Sequence, residues 1–184
     1  MANANEPTGF KLVNSFAGAE SVGTIEIYVD SSNATAIFKG DAISIEADGN
    51  AKRSASADGG IVAGIAVAIS TIDSFGNRKP ALYLPATTAG YIQYVPAAPG
   101  MTFEIQADDM VAQTAIGATA DFALGSGGST LTGISSYQLD ASDVGTGQQL
   151  RILGKVNKPG NDWGQYVKIL VCFVESIFQN NTTI

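Results

Sequence analysis

The 184-residue chain contains no histidine, one cysteine and seventeen carboxylates, so little of the usual catalytic repertoire is present. Without imidazole the common base near neutral pH is missing. Ser-His-Asp and Cys-His nucleophiles and His-bound zinc are therefore excluded within the chain. Neither a P-loop nor a GxGxxG fingerprint occurs. Asp108-Asp109 has the chemistry to bind a cation or to act as an acid pair, as two carboxylates do in glycosidases. Adjacent residues of a strand point to opposite faces, however, so a solvated turn is the better reading. Asp140 and Asp143 lie in a Ser/Gly-rich stretch that lacks the oxygen-ligand periodicity of a calcium loop. Cys172 sits in the apolar run Ile169-Leu170-Val171-Cys172-Phe173-Val174 and reads as a small core residue rather than a reactive thiol. A lone cysteine also allows no intrachain disulfide. The expectation is no catalytic residue, no metal and no cofactor.

The elements that would position any site are short and extended. Ala, Gly, Ser and Thr make up 76 of 184 residues, a composition suited to thin layers and frequent turns. Period two appears in Ile25, Ile27 and Val29 against Glu26 and Asp30, and again over residues 41–47, where Asp48-Gly49 follows as a hairpin signal. Residues 61–69 are apolar on both faces and rich in Ile and Val, as in a central strand. Phe75-Gly76-Asn77 reads as a turn. Short extended runs follow at 81–84, 90–95 and 102–107, and Gly125-Ser126-Gly127-Gly128-Ser129 as a loop. Residues 150–156 and 166–174, joined through Pro159-Gly160, look like an antiparallel pair. About nine short strands with little helix predict an all-β sandwich or barrel.

Net charge is −7, with no concentrated Lys/Arg cluster for phosphate, so nucleic acid is not an expected partner. No charged-then-apolar leader and no apolar run of about 18 residues is present, so neither export nor membrane spanning is expected. Residues 1–23 hold few spaced apolar groups. Apart from Met1 and Val22, Phe10, Leu12, Val13 and Phe16 are their only large ones, so this segment must be disordered or docked on another surface. Trp163, the only tryptophan, is either an exposed anchor for a partner or an aromatic folded onto its own core.

Several blocks together resemble the head-decoration (capsid cement) proteins of tailed bacteriophages. They are the opening Met1-Ala2-Asn3-Ala4-Asn5-Glu6-Pro7-Thr8-Gly9-Phe10-Lys11-Leu12-Val13, then Ile37-Phe38-Lys39-Gly40-Asp41, Phe103–Asp108 and Ile116–Asp121. The closing block runs from Leu150 to Pro159 and on through Trp163-Gly164 to Lys168–Val171. The resemblance implies a virion protein on the outer capsid surface, binding the major capsid protein, commonly as a homotrimer held by an extended N-terminal arm. It implies Pro7, Phe10, Lys11, Leu12, Val13 and Phe16 as arm contacts, and offers no catalytic residue.

The resulting expectation is an all-β protein, a small β-barrel or β-sandwich of short antiparallel strands with an extended N-terminal arm. The arm covers 1–23, the body 24–176 and a tail 177–184. The body falls into halves 24–100 and 101–176 if a faint echo between Gly40-Asp41 with Ile61–Gly64 and Gly117, Asp121 with Arg151–Gly154 marks two related barrels rather than chance. The competing function is a carbohydrate-binding or adhesion module on the virion, which would need exposed aromatics drawn from Trp163, Tyr91, Tyr94 and Tyr166. No small-molecule substrate is expected.

Overall fold

The computed structural model describes residues 3–14, 23–55, 61–147 and 149–178. Its strands are β1 (Lys11–Asn14), β2 (Ile25–Val29), β3 (Ile37–Phe38), β4 (Ala42–Ile45), β5 (Ala51–Arg53), β6 (Val62–Ile72), β7 (Arg78–Ala81), β8 (Tyr83–Leu84) and β9 (Gly90–Pro96). They continue with β10 (Thr102–Gln106), β11 (Met110–Val111), β12 (Thr119–Ala120), β13 (Phe122–Ala123), β14 (Gln138–Leu139), β15 (Leu150–Lys155), β16 (Gly164–Gln165) and β17 (Lys168–Phe173). A single 3-10 turn at Gln113–Ala115 is the only helical element among the described residues. The protein is all-β.

Two main sheets divide the chain. One is built from β2-β9-β6-β4-β5 with β7 added beside β6, the other from β1-β10-β17-β15-β12, and every pairing is antiparallel. In the first, β6 is the expected central strand. Gly64 near its start is required by packing, because a Cβ there would run into the Val95 backbone and the Tyr94 ring. The sheet curls until β5 lies back against β2, and Asn50 Nδ2 donates to Asp30 Oδ2 at 3.4 Å across that gap. In the second, β17 shows strict alternation: Ile169, Val171 and Phe173 are buried while Lys168, Leu170 and Cys172 are half-buried on the opposite face. Each fully buried side chain of this size contributes roughly 1.5–3 kcal/mol.

Two apolar clusters form the core. The smaller gathers Val29, Ile43, Ile69, Ile92 and Tyr94 of the first sheet with Leu84 of the separate β3-β8 pair. The larger is centred on Phe103, Phe122, Tyr137, Leu150 and Phe173, and it also takes in Ala42, Val62, Ile65 and Val95 from the first sheet. Those four residues tie the two halves into one packed unit.

Residues 3–14 lie along the body: β1 pairs with β10, Lys11 opposite Glu104 and Leu12 opposite Phe103. Asn3 Nδ2 donates to the carbonyls of Asp162 and Gln165, both at 2.8 Å. Two expectations are corrected. Ile45, which the period of two places with Ile43 on the apolar face, is 37% exposed, while Asp41 on that same face is fully buried. Cys172 faces away from the large core, half-buried, and burial pushes its thiol up despite the nearby Arg151 charge. At the tail, Ile177 N donates to Val62 O at 3.1 Å; residues 179–184 lie outside the described residues.

Candidate partner-binding surface

The N-terminal segment builds a cleft by entering the body through one turn. Gly9 has φ +66°, and a Cβ there would collide with Ser135 and the Gly40 carbonyl, so only glycine suits the position. Past that turn, Phe10 N donates to Gly40 O at 2.9 Å. The Phe10 ring drops into the large core, 5.1 Å from Phe173 and 5.6 Å from Phe122 between ring centres. β1 then runs along β10, and β6 with the Lys39-Gly40 bend forms the opposite wall. Between them lies a cleft of about 300 Å³ lined by Phe10, Leu12, Ile65, Val67, Val95 and Phe103, with Lys11 and Lys39 beside them.

A buried ion pair holds the Lys39-Gly40 bend. Asp41 Oδ2 accepts the Phe38 amide at 2.8 Å and meets Arg53 Nε at 3.0 Å. The Arg53 guanidinium lies 4.7 Å over the Tyr137 ring, and the Tyr137 hydroxyl donates to the Ser54 carbonyl. Burial pushes the Asp41 carboxyl up to about 6, against the lowering effects of Arg53, Ser135 and the Phe38 amide. The bend is also stitched by Gly40 N to Ala66 O at 2.8 Å and Ala66 N to Asp41 O at 2.9 Å. Burying a charge pair is tolerated only with such surrounding hydrogen bonds.

The expected arm residues separate by role. Phe10 is 2% exposed and serves the chain's own core, so it is not free to bury itself on a partner. Leu12 packs partly on that core. Pro7 is half-buried beside the Ser126–Ser136 loop. Lys11 and Val13 face outward, Val13 at 50% exposure. Phe16 lies outside the described residues. Trp163 is half-buried against the large core, which is the second of its two expected placements.

Comparison with protein-family models, curated proteins and solved structures gives no match.

The surface therefore has to be read from its own chemistry. Among the described residues, no group of three His, Cys, Asp or Glu side chains is placed to hold a metal. Asp108 and Asp109 sit in the turn between β10 and β11, where Asp108 Oδ1 accepts the Ala141 amide at 2.9 Å and Asp109 Oδ1 accepts from Gln165 Nε2 at 3.1 Å. Asp140 Oδ1 caps Ser142 at 2.9 Å. Asp143 is pushed up chiefly by the Asp140 charge, then by partial burial and by Asp121 and Asp108. The aromatics that sugar binding would require are dispersed. Tyr94 is 3% exposed, and Tyr91 packs on Tyr28 with Arg78 3.6 Å over its ring.

The most exposed large apolar side chains are ones that sequence patterning did not single out. Phe75 is 87% exposed, Leu131 86%, Met110 67% and Leu82 52%. Phe75 stands at the tip of the β6–β7 hairpin, whose turn is fixed by Asp73 Oδ1 accepting the Phe75 and Asn77 amides, each at 2.9 Å. The available signal was a phenylalanine inside a turn motif, where it has no strand face to hide on.

Proposed function

We propose that the protein is a structural virion protein that binds the outer surface of a tailed-phage capsid, seated on the major capsid protein as a homotrimer, and cements the shell. The ordered sequence blocks support this, and one structural observation carries it furthest. A closely packed β body presents large apolar side chains at rigid turns, Phe75 above all, on an otherwise acidic, small-residue surface. Exposed aromatics on rigid supports are typical anchors for a protein partner. The role is mechanical: a protein that binds the assembled lattice better than free subunits stabilises that lattice by mass action. Many modest contacts per particle then sum through multivalency.

The test is to add the purified protein to empty, expanded heads that lack it, and to follow binding and the temperature of genome release from filled heads. Binding with a raised release temperature is the expected result. Heads that do not bind the protein, or release temperatures unchanged by bound protein, would reject the proposal.

A further inference from the structure

The cleft beside β1 is unusual for this chain because its charged lining is basic. Lys11 and Lys39 flank an apolar floor, no carboxylate lines it, and neither lysine makes an ion pair among the described residues. The molecule as a whole carries −7. The opposite combination occurs beyond the far end of β10. There Met110 stands 67% exposed, and Asp108, Asp109 and Asp140 surround it. Unbranched and polarizable, a methionine side chain adapts to an irregular apolar hole. At about 300 Å³ the cleft is at the small end of ligand-sized pockets, which suits one side chain better than an extended ligand.

We propose that copies of this chain associate head to tail, the Met110 knob of one entering the Phe10/Leu12/Phe103 cleft of the next, with Asp109 and Asp140 meeting Lys11 and Lys39. Hole and knob lie on different parts of the same molecule. Phe103 and Met110 are seven residues apart, at most about 23 Å along the chain at strand spacing. As a head-to-tail contact it is heterologous, and it closes into a ring or continues as an open chain according to its rotation. It rests on the trimeric reading above only for the number of copies, and does not require a capsid. The complementary charges set register and favour encounter, the apolar knob gives persistence.

Sedimentation velocity of the full chain, across concentration and at low and high salt, tests this. The wild type should sediment as an oligomer that weakens as salt screens the charge pairs. Met110→Asp, and separately Lys11→Glu with Lys39→Glu, should sediment as monomers with unchanged circular dichroism. Lys11→Arg with Lys39→Arg should retain the oligomer. Mixing the Lys11→Glu/Lys39→Glu protein with an Asp109→Lys/Asp140→Lys protein should restore association that neither shows alone. A wild type that is monomeric throughout, or an oligomer that survives every one of these changes, would overturn the contact. A self-associating protein that ignores heads would instead remove the capsid reading, and a monomer that binds heads would do the reverse.

Discussion

Truncating Phe10 separates the two roles that the N-terminal segment could have. Its ring is 2% exposed and meets four aromatic neighbours, Phe103, Phe122, Tyr137 and Phe173, at 6.5, 5.6, 6.3 and 5.1 Å between centres. Removing a buried phenylalanine to alanine costs 3–5 kcal/mol through lost transfer energy and a residual cavity. Four rings that cannot all collapse inward place Phe10→Ala near the middle, about 4 kcal/mol. Against a total of roughly 5–15 kcal/mol, that is a large share of the protein's stability. For a chain of this size it lowers Tm by about 8–16 °C. Val13→Ala, two strand positions beyond and half in solvent, should stay within about 0.5 kcal/mol. Both variants would be unfolded thermally and in urea, followed by Trp163 fluorescence and far-UV circular dichroism. If Phe10→Ala were no less stable than Val13→Ala yet bound heads more weakly, the core assignment would be wrong and a partner-seeking arm would be right.

Four further outcomes follow from the geometry. The Asp41 carboxyl is pushed up to about 6 in the folded state, above its unfolded value. Its contribution is therefore fully present below about pH 4 and is lost as pH rises through 6, on the order of 3 kcal/mol in all. Urea unfolding from pH 4 to 7 should show that slope, and Asp41→Asn should flatten it. Gly9→Ala should destabilise the fold by more than 1 kcal/mol in the same assay, since both the left-handed backbone and the Ser135 contact oppose a Cβ. The Cys172 thiol, raised by burial, should react with a disulfide reagent at neutral pH more slowly in the native protein than in urea; equal rates would contradict its burial. Phe75→Ser should leave Tm within about 2 °C, since the side chain is exposed, while weakening binding to heads; unchanged binding would remove Phe75 from the contact surface.

Long alternating segments were legible in the sequence, and those dominated by pairing partners were not. β6, β10, β15 and β17 each carry enough apolar residues at the right period to declare themselves. β3, β8, β11, β12, β13, β14 and β16 are two residues long, and two residues hold no period. β2 shows why periodicity alone misplaces burial: Ile25 shares a face with Val29 but is 41% exposed at the end of an edge strand. The burial of Asp41 with a partner was not legible, because nothing local announces Arg53, twelve positions on. The cleft was half visible. Phe10, Lys11 and Leu12 were singled out, but as contacts for another molecule, since their partners β6 and β10 lie 50 to 90 residues downstream. Met110 and Phe75 were passed over because exposure of a single apolar residue is a tertiary property.

The docking of β1 also sets an order of events in time. Phe10 is made well before the rings that enclose it, which belong to Phe103, Phe122, Tyr137 and Phe173. At about 5–20 residues per second of synthesis, its last partner appears roughly 8–30 s later. During that interval the curled sheet of β2 to β9 has all its strands and can close, while the second sheet still lacks β15 and β17. The segment around Phe10 is thus synthesised before the body it docks on and is the last to find its place. Pairings this distant in sequence fold slowly, so chains caught early would expose Phe10, Leu12 and the unpaired edge of β10 together, and refolding from urea should show its slow phase in the burial of that edge.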